Sequence, residues 1–320
     1  MRVTAFAPIS AGNFIVGFDL LGAALQPIDG APLGDWVTVE DAPESLVTIA
    51  GPFAHALPGA AHDNIVHTCR VRYEQELSKK GLAPRPNRLS LHKALPVGSG
   101  LGSSAASAVA ALQALNLFYA QALSARELLI LAGEMEGRIS GSVHYDNVAP
   151  ALLGGLQLLV PDARLSVGLP LPPWHLVLYH PGIEVATRTA RAVLPKQYDL
   201  HTVTAFGQRL AAFIQAAMAQ EWSHAAALLS DELIEPHRAP LVPGFVAAKA
   251  AALAHGALAF SLSGAGPTCI AVCPDADSAA RVRLALDAAF PVNTARKSWL
   301  CRFDAIGARL WPVAVPETAA

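Results

Sequence analysis

Between a stretch that alternates like a strand, Arg88 to His92, and a long alanine-rich stretch of helical character, about Ser104 to Ala122, lies Pro96-Val97-Gly98-Ser99-Gly100-Leu101-Gly102-Ser103-Ser104-Ala105-Ala106-Ser107. The chain must turn there from a strand directly into a helix. Glycines permit positive φ and let the backbone approach a ligand closely. The first turn of a helix has unpaired N–H groups and a partial positive charge. Together these describe an anion site suited to phosphate, and the serine hydroxyls add donors and possible metal ligands. Two familiar phosphate loops do not fit. A Walker A pattern started at Gly98 places its second glycine and its lysine on Ser103 and Ser104. A dinucleotide fingerprint fits Gly98 and Gly100, but its third glycine falls on Ser103.

The chain has 320 residues, 53% hydrophobic and 15% charged, enough to bury substantial cores and too apolar for disorder. The formal net charge is -2 and no basic block occurs, so neither nucleic acid nor an anionic membrane is an expected partner. Pro8, Gly12, Asn13 and Asp19 interrupt the N-terminal apolar stretch too early for a signal peptide, and no run of about 18 apolar residues suggests a membrane span. Cys69, Cys269, Cys273 and Cys301 lack metal-ligand spacing and read as buried free thiols, as expected of a cytoplasmic protein.

Periodicity predicts strands at Trp36–Glu40, Leu46–Ile49, Leu156–Val160, His175–Tyr179, Ala259–Leu262, Thr268–Cys273 and Leu300–Ile306. It predicts helices at Asn64–Lys80, Leu128–Gly137, Val203–Gln220, Trp222–Leu233, Val246–Ala254 and Ser278–Phe290. Strands and helices alternate without a regular βαβ run, so the fold class is α+β. The turn-rich stretch Pro161–Pro173 is the expected boundary between an N-terminal domain, residues 1–165, and a C-terminal domain, residues 166–320.

The segment from Pro96 resembles the central motif of the GHMP kinases, which phosphorylate galactose, homoserine, mevalonate and phosphomevalonate. Two further segments agree, in the same order along the chain: Ala7-Pro8-Ile9-Ser10-Ala11-Gly12-Asn13-Phe14-Ile15-Val16-Gly17-Phe18-Asp19, and Ser261-Leu262-Ser263-Gly264-Ala265-Gly266-Pro267-Thr268. The resemblance implies two domains with the active site between them. The first shares its fold with a ribosomal protein and the second is ferredoxin-like. It also implies ATP as donor, Mg²⁺ held by Ser104 and Glu136, ATP-binding residues Pro96 to Ala106, and a possible homodimer.

Within the family, the chain resembles the homoserine kinases. The N-terminal motif has Ala11-Gly12-Asn13 where Ser-Ala-Asn is usual, and His144-Tyr145-Asp146-Asn147-Val148-Ala149-Pro150 matches an H-x-D-N-V-A-P stretch. Two later segments, Ala186-Thr187-Arg188-Thr189-Ala190-Arg191 and Glu235-Pro236-His237-Arg238, resemble those that place one arginine each at an amino-acid substrate. L-Homoserine is a zwitterion. Its carboxylate suits the guanidinium groups of Arg191 and Arg238, and its ammonium suits Asp19 and Asn13. The implied pathway is threonine synthesis from aspartate.

Several roles stay open at this level. Asp146 stands where related kinases have a catalytic aspartate, but a structural turn residue is equally compatible, and Asp146→Asn is expected to keep partial activity. His144 can contact substrate or pack in a turn. Thr187 can bond the acceptor, a phosphate or its own backbone turn. Asn64 can lie near adenine, cap a helix, or both. A GHMP kinase for another alcohol such as mevalonate, and a non-catalytic ligand sensor, are the alternatives. No G-x-S-x-G elbow or H-E-x-x-H spacing occurs to support a serine hydrolase or a zinc enzyme.

Overall fold

The computed structural model describes residues 1–58, 63–141, 143–291 and 293–315. His62, just before the predicted helix Asn64–Lys80, and Ser142, just before the motif at His144, lie outside the described residues. The N-terminal half contains β1 (Arg2–Gly12), β2 (Leu21–Pro27), β3 (Gly34–Asp41), β4 (Leu46–Ala50), α1 (Ile65–Lys79), β5 (Asn87–His92), α2 (Ser103–Phe118), α3 (Ala125–Ser140), α4 (Val148–Leu153), β6 (Leu156–Leu159) and β7 (Ser166–Leu169). The C-terminal half contains β8 (His175–His180), α5 (Thr187–Ala192), α6 (Leu200–Met218), α7 (Trp222–Ala227), α8 (Glu235–Arg238), α9 (Phe245–Ala254), β9 (Ala259–Leu262), β10 (Cys269–Cys273), α10 (Ala276–Ala289), β11 (Lys297–Phe303) and β12 (Arg309–Leu310). The α+β expectation holds.

The strands run in the order β4-β5-β3-β1-β2-β11-β8-β10-β9. Strand β1 joins the two halves of this sheet. Its residues Arg2 to Pro8 pair with β3, and Ile9 to Gly12 pair with β2. Only β4–β5 is parallel among these pairs; the rest are antiparallel. The turn-rich stretch Pro161–Pro173 holds β7, which pairs with β6 as a hairpin, so residue 165 lies between two paired strands. No helix among the described residues is long and apolar enough to cross a membrane.

Helix α2 is central because its side chains are small. All are buried except those of Ser104, Gln113 and Leu117. Alanines at 105, 106, 108, 110, 111 and 114 let the helix pack against β1 and β3 on one side and α1 and α3 on the other. The position of its first turn is therefore fixed by core packing. A second apolar cluster lies under α9 and α10 and takes in Cys269 and Cys273. All four cysteines are buried and free, as expected.

Several expected boundaries move, three of them for reasons visible in the side-chain and backbone bonding. Helix α2 stops at Phe118 and does not reach Ala122, because Ala120 and Gln121 turn left-handed (φ 54° and 61°). Asn116 stabilises that turn, donating to Leu123 O (3.0 Å) and accepting from Leu123 N (3.0 Å) and Tyr73 Oη (2.8 Å). The expected helix Trp222–Leu233 ends at Ala227. Beyond it, the Asp231 carboxylate accepts from the N–H groups of Leu233, Ile234 and Glu235 and starts the separate helix α8. Strand β11 ends at Phe303, because Asp304 folds back to accept from Ile306 and Gly307 N–H groups.

Candidate active site

The segment Pro96–Gly102 leaves β5 and enters α2 through glycines in the left-handed region: Gly98, Gly100 and Gly102 have φ of 63°, 77° and 64°. The carbonyls of four successive residues are tied to the protein. Gly98 O accepts from Val185 N (3.1 Å), Ser99 O from Thr268 N and Oγ1 (3.1 and 2.6 Å), Gly100 O from Ser263 Oγ (2.7 Å) and Leu101 O from Ser10 N (3.2 Å). The loop is thus fixed against the other two sequence motifs and against the segment that leads from β8 into α5. Gly102 caps α2, so the N–H groups of Ser103, Ser104 and Ala105 begin the helix without intrahelical partners.

The loop forms one wall of an 850 Å³ cavity. Val97 to Gly100 and Gly102 to Ser104 line it, whereas Leu101, Ala105 and Ala106 bury their side chains in the core and shape the loop from behind; Pro96 also lies off the cavity lining. Asn64 both caps and lines. Its Oδ1 accepts from Val66 N (3.0 Å) at the start of α1, while its buried Nδ2 has no partner among the described residues. Leu57, Pro58 and Ile65 stand beside it in the lining, an apolar corner with one orphaned donor that suits a purine.

Ser104 and Glu136 meet across α2 and α3, with Ser104 Oγ donating to Glu136 Oε2 at 3.0 Å. Burial raises the Glu136 pKa, and the Ser104 hydrogen bond opposes the rise. A hydroxyl and a carboxylate are hard oxygen donors, and two such ligands fit Mg²⁺, which fills the rest of its shell with phosphate oxygens and water. No group of three or more His, Cys, Asp or Glu residues able to hold a metal by themselves occurs among the described residues.

The N-terminal motif, α5 and α8 build another wall. Asn13, Phe14 and Ile15 all have positive φ (67°, 30° and 65°), which swings the chain out of β1 towards Asp19. The Asn13 side chain holds this turn: Nδ2 donates to Gly264 O (2.9 Å) and Oδ1 accepts from Asp19 N (3.0 Å). The Asn13 amide thus braces Asp19, and Asn13 itself also lines the cavity. The Asp19 carboxylate accepts from Arg191 Nη2 with both oxygens, at 2.9 and 3.1 Å. His144 Nδ1 lies 3.6 Å from Asp19 Oδ1, and burial lowers the His144 pKa while Asp19 opposes that shift. Thr187 and Arg191 are four residues apart on α5, hence on one face, and both line the cavity.

Arg238 is 3% exposed, donating from Nε to Ala190 O and from Nη1 to Gly264 O, both at 3.1 Å. Gly264 O therefore receives Asn13 and Arg238 together, so the third glycine-rich motif is the hub of this wall. The guanidinium carbons of Arg191 and Arg238 lie 5.5 and 5.3 Å from the ring centre of Phe18, within cation–π range.

Asp146 is buried between the two walls. Burial pushes its pKa up to about 7, with Asp19 and Glu136 adding to the rise and Arg191 and the Asn13 backbone opposing it. Gly12 permits this placement, since a Cβ there would stand 2.3 Å from Asp146 Oδ2 and 2.4 Å from Asn147 Nδ2. Asn147 accepts from Ser10 Oγ at 3.0 Å and so links Asp146 to the strand against which Gly102 packs.

The cavity thus brings together Asn13, Asp19, Asn64, Ser104, Glu136, His144, Asp146, Thr187, Arg191 and Arg238. Sequence reading assigned no role to Phe18, Ser263, Thr268, Glu184, Arg138, Arg188, Asp35 or Lys93. Phe18, Arg188, Ser263 and Thr268 stood inside segments already singled out. Asp35 and Lys93 carried no local signal, because they meet only when β3 pairs with β5.

Both halves of the chain are similar to known proteins. Residues 64–155 match the description "GHMP kinases N terminal domain" and residues 211–292 match "GHMP kinases C terminal". The chain is similar to the homoserine kinase of Cytophaga hutchinsonii, with 32% identity, TM-score 0.87 and 97% of each chain covered. It is also similar to a putative homoserine kinase from Listeria monocytogenes, with 23% identity, TM-score 0.71 and coverage of 97% of this chain and 100% of that one. L. major mevalonate kinase in complex with R-mevalonate shares 17% identity at TM-score 0.64, with 95% of each chain covered. The last two likenesses speak for the fold alone. Identity of 32% carried over 97% of the chain, with both halves matched in order, is decisive: the chain belongs to the GHMP kinase family, phosphotransferases that use ATP as phosphoryl donor.

Proposed function

We propose that this chain transfers the γ-phosphoryl group of ATP to the side-chain hydroxyl of L-homoserine, giving O-phospho-L-homoserine and ADP, as a cytoplasmic step of threonine synthesis. The observation that carries the reading is the pairing of Asp19 with Arg191, next to Arg238, in the same cavity as the phosphate loop. A zwitterionic acceptor needs one fixed negative and one fixed positive partner within a few ångströms. Mevalonate has a carboxylate but no ammonium, and a sugar has neither, so Asp19 has no charge to meet in those substrates.

In this reading Asp19 receives the ammonium of homoserine and Asn13 holds Asp19 in place. Arg191 receives the carboxylate; its buried Nε has no partner among the described residues. Arg238, braced on two carbonyls, adds positive charge. The adenine lies at Asn64, and the phosphates lie over the N–H groups at the start of α2. Mg²⁺, held by Ser104 and Glu136, would neutralise charge on the β- and γ-phosphates. The homoserine hydroxyl oxygen forms a bond to the γ-phosphorus, the bond to the β–γ bridging oxygen breaks, and ADP leaves. Asp146 takes the hydroxyl proton, a role suited to a carboxyl with a pKa of about 7. His144 and Thr187 orient the acceptor.

The test is ADP release with Mg-ATP and L-homoserine, mevalonate, galactose or no acceptor. Homoserine-dependent release supports the reading. Turnover of mevalonate without homoserine overturns the acceptor. ATP binding with no acceptor turned over points to a ligand sensor.

A further inference from the structure

We infer that Lys93, Asp35 and Ser107 are positioning residues that hold both ends of the phosphate loop in register, so that they set nucleotide affinity without touching the acceptor. The inference rests on the reading of this cavity as the ATP site. None of the three belongs to a substrate-contacting position argued above.

Strands β3 and β5 pair with Trp36 opposite His92, which brings Asp35 and Lys93 together at the strand ends nearest the loop. Both are buried, at 0% and 1% exposure. An ammonium has three donors, and all three of Lys93 are committed: to Asp35 Oδ2 (2.5 Å), Ser103 O (2.9 Å) and Ser107 Oγ (3.0 Å). Asp35 is equally satisfied. Its Oδ2 also accepts from Ser107 Oγ (2.6 Å), and its Oδ1 accepts from the N–H groups of Ala94 (2.9 Å) and Leu95 (3.2 Å).

The partners identify the task. Ala94 and Leu95 form the entry to the loop, and Ser103 and Ser107 form its exit in α2. Ser103 Oγ closes the base by donating to Leu95 O at 3.3 Å. The Lys93 backbone is itself locked, N donating to Ala50 O (2.7 Å) and O accepting from Phe53 N (3.1 Å). Lys93 and Ser107 both belong to the cavity lining. A buried ion pair is a poor source of stability compared with apolar packing. A network with every hydrogen bond made fixes one geometry. Here that geometry is the spacing between the loop's two ends, and with it the aim of the first-turn N–H groups and of Ser104 Oγ.

Two variants test this. Ser107→Ala removes the hydroxyl that bridges the charges without leaving either charge unpaired. Lys93→Met with Asp35→Asn removes both charges together. Each is compared with the parent by calorimetric ADP titration without acceptor, by KM for ATP and for homoserine, and by thermal melting. The expected result is ADP affinity weakened about three- to tenfold in Ser107→Ala and more than about tenfold in the double variant, with KM for homoserine changed by less than about twofold. Folded variants that bind ADP as tightly as the parent overturn the inference and leave the pair a packing feature. If the double variant does not fold, the Ser107→Ala titration decides alone. The acceptor reading fails separately: a parent that binds ADP but gives no homoserine-dependent turnover leaves the titration comparison intact. A parent that does not bind ADP overturns both.

Discussion

Asp19 and Arg191 are 172 residues apart in sequence, and both carboxylate oxygens of Asp19 accept from Arg191 Nη2, at 2.9 and 3.1 Å. The pair connects the N-terminal motif to α5 and gives the cavity both signs of charge side by side. Arg191→Ala should therefore act on the acceptor and spare the nucleotide. A charge-assisted hydrogen bond is worth about 1.5–3 kcal/mol, so KM for homoserine should rise about 10- to 100-fold while KM for ATP stays within about threefold. Arg191→Lys should recover little, because an ammonium cannot reproduce the planar fork. Steady-state kinetics over both substrates checks this, and equal losses in the two KM values would contradict it.

Arg238 should behave differently. Its guanidinium is buried and bonded to the carbonyls of Ala190 and Gly264. Arg238→Ala takes a donor from both carbonyls, leaving Gly264 O with Asn13 alone, and removes one of the two charges near Phe18. Loss of stability should accompany loss of acceptor binding, at roughly 2–4 kcal/mol by denaturant unfolding, whereas Arg191→Ala should cost under about 1 kcal/mol. Equal unfolding midpoints for the two variants would show that Arg238 has no structural part.

Gly100 should admit no side chain. At φ 77° a Cβ would lie 2.7 Å from Ser263 O and 2.8 Å from Gly266 O, both backbone atoms. Gly100→Ala must push the loop away from the third motif, and ADP affinity should fall at least about tenfold by calorimetry with the fold retained. Undiminished affinity would mean that the loop's contact with Ser263 and Gly266 does not shape the phosphate site.

Helix α1 with its Asn64 cap and the strand–loop–helix at Pro96–Ser107 were legible in the sequence because their signals are local: periodicity, a capping residue, glycines at fixed offsets. The same holds for the residues of the wall proposed to take the acceptor, which sit inside recognisable motifs. Asp231 was a local signal passed over: its carboxylate accepts from N–H groups two to four residues on, with Pro236 just beyond. Most of what else was missed depends on partners further along the chain. Nothing near Asn116 indicates that its amide will end α2. Asp35 and Lys93 read as an isolated acid and an isolated base until β3 pairs with β5. Asn13 is the clearest case. Its position was found from the motif, but its bonding to Gly264 and Asp19, which makes it a brace, required the third motif to be folded against the first.

Glu136 ties Ser104 to α3, and its carboxylate is the only charged member of the proposed metal pair. Glu136→Gln should raise the Mg²⁺ concentration needed for half-maximal activity about tenfold or more, because an amide is a far weaker magnesium ligand than a carboxylate. ADP titrated without Mg²⁺ should bind the variant and the parent alike. An unchanged Mg²⁺ dependence would move the metal away from this pair.

Asp146 gives two linked pH effects. Burial pushes its carboxyl up to about 7 in the folded protein, against 3.8 for an ordinary aspartate in the unfolded chain. Between those values the folded protein keeps a proton that the unfolded chain has released, so the free energy of unfolding falls as pH rises. The contribution is fully present below about pH 4 and is lost by the time pH passes about 7. At about 1.4 kcal/mol per unit the loss is on the order of a few kcal/mol. Asp146→Asn has no proton to lose. Its melting temperature relative to the parent should therefore be higher at pH 8 than at pH 5. Activity should run the opposite way, since proton acceptance needs the ionised carboxylate. Parent kcat should fall below about pH 7, and Asp146→Asn should lose about 10²- to 10⁴-fold in kcat. The sequence alone suggested partial retention, and burial beside Asp19 and Glu136 changes that expectation. A variant that keeps more than about a tenth of parent kcat would show that the proton passes to the phosphate itself. A stability difference independent of pH would place the Asp146 pKa near the ordinary carboxylate range.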